Sequence, residues 1–464
     1  MIGKRKTENG NRKLTRFVRL LTTHYLLLTL FTGVLMASNL PKHYTKTLKN
    51  GLEVVVIPLK NESGVITTDI FYKVGSRNET MGKSGIAHML EHMNFKSTEN
   101  MPAGEFDKIV KRFGGVDNAS TGFDYTHYFI KSASRNLDRS LELFADMMAH
   151  LSLKDEEFQP ERKVVAEERR WRTDNNPVGY LYFRLFNNAY IYHPYHWTPI
   201  GFMNDILNWS IEDIRAFHKT YYQPQNAIIV VAGDIEPETV FEAAKRHFGK
   251  IENCCDIPKV HQVEPAPDGP KRVVIHKESE VEIVAVTFPI PDYTHPDQPA
   301  LSALSELLSH GKSSRLVEDL VDRKKMVNQI YAYNMELKDP GVFLFLAVCN
   351  PGVKAEEVEK EFWAQIDRIK KDGVSEEELK KVKVNTRADF IFSMENSSNV
   401  ADLFGSYLAR GDIEPLLHYE ENIEKLKPET VKAVAERYLD RERSTTVILR
   451  KEEKKSSESR GEKK

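Results

Sequence analysis

The chain has 464 residues, with 66 Lys and Arg against 68 Asp and Glu for a formal net charge of −2. This balance of mixed signs gives no nucleic-acid footprint, and the length implies about two to four domains with sizeable cores once any leader is set aside. The three cysteines, Cys254, Cys255 and Cys349, show no repeated spacing that suggests a disulfide framework or a thiolate zinc site; the neighbours Cys254 and Cys255 are poorly placed to bridge each other, and all three read as ordinary thiols.

In chain order, residues 1 to about 23 are basic and residues 25–38 are largely apolar. The apolar run of about 13 residues suits the core of a secretory signal and falls short of the about 20 that a membrane span needs. Residues 1–38 therefore read as a signal peptide, which implies a periplasmic or secreted protein. The alternative is an uncleaved anchor with membrane association, because Leu35 sits at the outer position of an imperfect small-residue cleavage site. A misplaced start codon also accounts for so long a basic leader.

Residues 45–48 and 52–57 predict a β-hairpin turned at Asn50-Gly51, and residues 65–72 predict a further strand of alternating character. A loop at 74–79 leads into Gly85-Ile86-Ala87-His88-Met89-Leu90-Glu91-His92-Met93-Asn94-Phe95, which no Gly or Pro interrupts after Gly85. On a helix His88 and His92 are four apart and Glu91 is three from His88, so one face carries all three side chains and can hold a metal and a base together. The order His-x-x-Glu-His inverts the commoner His-Glu-x-x-His and is itself a zinc-site signature. Two imidazoles do not complete such a site, because catalytic zinc takes three protein ligands and leaves a position for water.

Residues 106–113 predict a short amphipathic helix ended by Gly114-Gly115, and residues 116–130 have β-rich halves on either side of Gly122. Leu137, Leu141, Phe144, Met148 and Leu151 repeat at helical spacing, a stripe that reads as core. A second uninterrupted helical run covers 161–171. Glu161 and Glu168 are seven apart there and share a face, whereas Glu167 points away from Glu168. One of the pair can ligate a metal while the other stands behind it. Asn175-Asn176-Pro177 ends that helix, residues 210–221 predict another, and residues 226–234 predict a buried strand.

In these motifs the sequence resembles the pitrilysin-type metallopeptidases, the inverted-motif family that includes insulin-degrading enzyme and the mitochondrial processing peptidase. In size and layout it looks like bacterial relatives of the latter. The resemblance implies an α+β fold of two structurally related halves, each a mixed, mainly antiparallel sheet packed with helices, together forming half of a clamshell chamber. It implies a zinc-dependent endopeptidase acting on small or unfolded polypeptides, with Zn2+ held by His88, His92 and Glu168, Glu91 as general base, and Glu161 as the acid supporting the site. Residues 114–121 resemble the family's Gly-Gly-x-x-Asn-Ala-x-Thr strand, an exposed sheet edge that takes an extended peptide as an added strand; this nominates Asn118 and Ala119 as substrate contacts. His127 remains a strand residue. The competing reading is a metal-free, non-catalytic peptide-binding or scaffold subunit of the same fold, against which the intact His88, Glu91, His92 and Glu168 speak.

Residues 39–257 thus form a zinc-bearing peptidase domain, and residues 258–271 a Pro-rich linker without periodicity. Beyond it the pattern begins again: 272–276 echoes 52–57, 281–288 echoes the strand at Val65, and 436–449 mirrors 219–232 at an offset of about 217. Residues 272–450 are therefore a related domain without the metal residues, since Ala303-Leu304-Ser305-Glu306-Leu307-Leu308 occupies the helix that corresponds to the His-bearing one. Residues 451–464 have no apolar side chain and read as a disordered charged tail.

One departure from the family pattern bears on partners. Self-sufficient members supply an Arg and a Tyr, seven apart, shortly after a Ser-Ser-Arg-Leu-like segment of the second half. Aligning on Ser313-Ser314-Arg315-Leu316 puts Val321 and Asn328 in those places. Arg323 and Tyr331 are eight apart and fit only after a register shift. The expectation is a heterodimer in which a related subunit supplies the Arg and Tyr, with a self-contained homodimer as the alternative.

Overall fold

The computed structural model describes residues 40–452; the signal or anchor read at 1–38 and the charged tail from 453 onward lie outside the described residues. The first half is built on β1 (Tyr44–Thr47), β2 (Glu53–Pro58), β3 (Val65–Tyr72), β4 (Val116–Thr121), β5 (Thr126–Ala133) and β6 (Ala227–Gly233), in the spatial order β1-β2-β6-β3-β5-β4. Only β2 and β6 run parallel; the other neighbours are antiparallel. The hairpin joining β1 to β2 turns at Gly51, whose φ of 88° is open to glycine. Its helices are α1 (Ile86–Met93), α2 (Glu105–Arg112), α3 (Leu137–His150), α4 (Asp155–Arg169), α5 (Pro177–Ala189), α6 (Met203–Asn208), α7 (Ile211–Tyr221) and α8 (Pro237–Phe248).

The second half repeats the plan. Strands β7 (Lys271–Glu278), β8 (Ile283–Pro289), β9 (Val327–Met335), β10 (Val342–Cys349) and β11 (Thr445–Glu452) take the order β7-β11-β8-β10-β9, with only β7 and β11 parallel. The helices are α9 (Gln298–Ser309), α10 (Ala355–Asp372), α11 (Glu376–Phe392), α12 (Ser397–Arg410), α13 (Glu414–Leu417), α14 (Tyr419–Glu424) and α15 (Pro428–Tyr438). This is the α+β arrangement of two related mixed sheets expected from the sequence. Among the described residues no helix is long and apolar enough to cross a membrane.

Helices α1, α3, α7 and α8 cover one face of the first sheet, where Leu90, Phe144, Ile214 and Phe248 are buried with Val54, Val56 and Ile229. The opposite face is covered by the other half: Val400, Ala401 and Phe404 of α12 pack on Val55, Ile57, Phe71 and Val230. The exchange is mutual, because Leu181 and Leu185 of α5 pack on Ile283, Ala285, Leu344 and Leu449 of the second sheet. Each half therefore leaves an apolar sheet face that a helix of the other half buries.

Two expectations need correction. Cys254 and Cys255 are joined as a disulfide of neighbouring residues. The turn that carries them is gathered by Gln223, whose side chain accepts from the Cys254 N–H and donates to the Cys255 carbonyl, and by Gln225, which donates to that same carbonyl. Spacing alone could not register this fixed turn. The last strand also runs past the expected end at 450, because Lys451 and Glu452 keep ladder partners in Lys277 and Glu278 of β7. Backbone pairing holds these exposed, charged residues where side-chain composition predicted a tail.

Candidate metal centre

Helix α1 is fixed first at its N-terminus. Gly85 precedes it at φ 84°, and a Cβ there would lie 2.6 Å from the Ile200 carbonyl oxygen, so the chain passes closer than any side chain permits. The buried Glu79 carboxylate accepts from the backbone N–H groups of Gly85 and Ala87 and from the Trp197 indole at 2.7–2.8 Å. It thus satisfies donors that a helix start leaves open, at the end where the helix dipole favours an acid. Ile86, Ala87, Met89, Leu90 and Met93 are buried. This fixes the rotation of the helix and turns His88, Glu91 and His92 to the remaining face.

Helix α4 meets that face. Phe158, Val165, Ala166 and Arg169 anchor it in the core, leaving Glu161 and Glu168 directed at α1. His88 Nε2 lies 3.6 Å and His92 Nε2 3.4 Å from the same oxygen, Glu168 Oε2. Donors about 2.0–2.2 Å from a tetrahedral zinc ion are themselves about 3.3–3.5 Å apart, so the donor set and its spacing fit that ion. The other oxygen of Glu168 forms an ion pair with Arg172, whose Nε lies 2.9 Å away. Glu161 stands behind His92, with Oε1 2.8 Å from its Nδ1, and its Oε2 receives Lys96 Nζ at 2.6 Å. A carboxylate on the far nitrogen of a ligating imidazole fixes its tautomer and ring orientation. His88 lacks such support, since among the described residues its buried Nδ1 has no hydrogen-bond partner.

The electrostatics favour a cation between the two helices. Burial, helped by neighbouring His92, pushes His88 down to about 4, so this imidazole is neutral and offers a lone pair. Burial also opposes charge on His92, but the hydrogen bonds and charges of Glu161 and Glu168 prevail and raise it to about 9. Glu168 is held below the usual carboxylate range, chiefly by its hydrogen bond with His92. Burial raises the Glu91 pKa, the direction a general base near neutrality needs, against the hydrogen bond it accepts from Thr121.

Thr121 ends β4, the edge strand of the first sheet, and its hydroxyl donates to Glu91 Oε2. Asn118 and Ala119 lie on the same strand, Asn118 exposed and Ala119 packed partly against the core. Among the described residues only β5 pairs with β4, so the other edge of this strand is open. His127 stays away from the histidine pair. It sits on β5, bonded to buried Asp69 and stacked on Phe71 at 4.2 Å. Arg323 is paired with Asp319 on its own helical turn, while Tyr331 stands exposed on β9 and lines a cavity of about 1060 Å³.

The structure therefore brings together His88, Glu91, His92, Glu161 and Glu168, and sets Asn118 and Ala119 on the adjoining strand. Lys96, Arg172 and Thr121 received no role from the sequence. Arg172 stands four residues beyond Glu168, a helical spacing that could have found it, whereas Lys96 lies past the end of α1 and reaches Glu161 only through the packing of the two helices. Thr121 meets Glu91 only through the packing of β4 on α1.

Known proteins resemble the chain over most of its length. Residues 54–196 match the model described as insulinase, peptidase family M16, and residues 208–385 match that of the peptidase M16 inactive domain. The zinc protease PqqE of Helicobacter pylori is 56% identical over 92% of this chain and 96% of its own. A probable mitochondrial-processing peptidase subunit beta of Arabidopsis thaliana is 26% identical over 94% of this chain and 82% of its own. Among solved structures, a protease from Helicobacter pylori superposes with a TM-score of 0.87 at 56% identity, covering 89% of this chain and all of that one. The periplasmic protease PqqL of Escherichia coli shares the fold, with a TM-score of 0.73 at 19% identity over 89% of this chain and 48% of its own.

Proposed function

The chain belongs to the insulinase family of peptidases, family M16, and from that premise we propose that it is a zinc-dependent endopeptidase. Its substrates in this reading are small or unfolded polypeptides, and it works as the zinc-bearing subunit of a complex with a related subunit. The observation that carries the proposal is the convergence of His88 Nε2 and His92 Nε2 on one oxygen of Glu168, with the Glu91 carboxylate on the same helix face.

His88, His92 and Glu168 would hold zinc, which supplies when bound a Lewis acid that acidifies water and polarises a peptide carbonyl. The substrate backbone adds to the open edge of β4 beside Asn118 and Ala119, through main-chain hydrogen bonds that do not depend on sequence. Glu91, steadied by Thr121, takes the proton from water and later returns it to the leaving amine. Glu161 holds His92 in orientation and Lys96 holds Glu161. Negative charge growing on the carbonyl oxygen calls for a further donor, worth about 3 kcal/mol. Neither Val321 nor Asn328 is suited to that work, and Arg323 is engaged with Asp319. This supports supply of an Arg and a Tyr by a related second chain. An exported location, periplasmic or secreted, rests on the apolar run at 25–38.

The deciding experiment pairs zinc content with turnover. Glu91→Gln is expected to retain one zinc at this site and lose about 10²–10⁴-fold in kcat, whereas His88→Ala and Glu168→Ala are expected to lose the metal by elemental analysis. A Glu91→Gln variant with undiminished turnover rules out this residue as the base.

A further inference from the structure

The second half repeats more of the first than its sheet. Helix α9 follows β8 as α1 follows β3, and α11 is the second helix after the β9–β10 hairpin as α4 is after β4–β5. Glu306 near the end of α9 and His310 just past it stand four apart, the spacing of His88 and His92 on α1; Asp389 lies near the end of α11, as Glu168 does on α4. His310 Nδ1 is 3.5 Å from Glu306 Oε1, and its Nε2 is 3.2 Å from Asp389 Oδ2. One donor atom from each of the three lies within 4.8 Å of the others, a condition that among the described residues only this trio and the His88, His92, Glu168 trio meet.

A separate observation indicates that a cation is wanted there. Glu306 Oε2 is buried and, among the described residues, has no hydrogen-bond partner. The nearby hydroxyls do not serve it, because Ser305 and Ser309 both bond to the Ala332 carbonyl on β9 and Ser302 donates to Glu336. Among the described residues neither Glu306 nor Asp389 has a lysine or arginine at ion-pair distance, so His310 is the sole basic group shared by the two carboxylates. Burial, with Asp389 alongside, raises the Glu306 pKa against the pull of His310, as happens to a carboxylate short of positive charge. A buried carboxylate oxygen without a donor is costly unless something compensates it.

We propose that Glu306, His310 and Asp389 form a second divalent-cation site, which ties α9 to α11 on the wall of the cavity that Tyr331 lines. One imidazole nitrogen and two carboxylate oxygens form a donor set suited to zinc and its harder neighbours, with positions left for water. With one histidine in place of two and two of its three groups exposed, the site binds more weakly than the first.

The test is zinc stoichiometry on the full chain, stripped with chelator and dialysed against zinc chloride at neutral pH. The unaltered protein is expected to bind two ions, with His88→Ala and His310→Ala binding one each and the double variant none. Glu306→Gln, which keeps the side-chain volume, serves as the second variant and is expected to bind one. Cobalt(II) in the His88→Ala protein is expected to give a visible spectrum that His310→Ala abolishes. The proposal is overturned if the unaltered chain binds a single ion and neither His310→Ala nor Glu306→Gln changes that number, for then His310 alone serves the two acids as a protonated bridge. Failure of the first site leaves a different record: loss of an ion on His310→Ala and none on His88→Ala.

Discussion

At Glu91 one carboxylate oxygen is held from outside its own helix by the Thr121 hydroxyl at the end of the edge strand. A hydrogen bond to a charged group contributes about 1.5–3 kcal/mol, and this one sets the direction from which Glu91 faces water. Thr121→Val is expected to lower kcat by about tenfold or more at that magnitude, with KM and zinc content little changed; Thr121→Ser is expected to recover most of the loss. A valine variant with full kcat means that packing alone orients the base. The two imidazoles and Glu91 were legible in the sequence because a single helix carries them at fixed spacing, and the resemblance then nominated Glu168 as the third ligand. Glu79 was not, since a carboxylate in a loop gives no sign that it will cap the very helix bearing the histidines.

Helix α12 shows what periodicity cannot reveal. The stripe of Leu137, Leu141, Phe144 and Met148 marked α3 as a core helix, and it is one. The pattern of α12 gives no hint that its apolar face belongs to the sheet of the other half, because a stripe names a buried face without naming its partner. Its contact is intimate: a Cβ on Gly405 would come within 2.0–2.7 Å of the Phe71 ring. In an exposed helix, glycine to alanine gains about 1 kcal/mol of helix propensity. Here overpacking of about 1–3 kcal/mol opposes it, and so near an approach takes the upper end. Gly405→Ala is therefore expected to lower Tm in thermal unfolding; an unchanged or higher Tm would mean that Phe71 can step aside.

Across the whole molecule the halves are also joined by a polar seam. Asp339 of the second half accepts from Arg77 and from His193 Nε2 of the first, while Asp124 accepts from the Tyr195 hydroxyl and the Lys338 N–H. Burial works to raise the Asp339 pKa, but the hydrogen bonds from His193 and Arg77 prevail and hold it near 2, below the ordinary 3.8. A carboxyl depressed in the folded state adds stability that is present above pH 3.8 and is lost as pH falls towards 2. Asp339→Asn is thus expected to lower Tm by a few degrees at neutral pH, with the gap to the unaltered protein closing between pH 4 and 2; a gap independent of pH would assign the loss to packing. The missing Arg and Tyr carry a prediction at this scale too. On the proposal that a related subunit supplies that pair, the purified chain alone is expected to hydrolyse peptides far more slowly than when mixed with such a subunit, and full activity in isolation would remove the need for a partner.

The swapped helices set a timetable for synthesis. When β6 leaves the ribosome the first sheet has all its strands, yet the stretch that covers its outer face begins only at Ser397. At about 5–20 residues per second, the intervening chain takes about 10–30 s to appear. Throughout that interval Val55, Ile57, Phe71 and Val230 present a greasy plane to the surroundings. A chaperone able to shield it is therefore expected to raise the yield of native protein from synthesis in a cell-free extract.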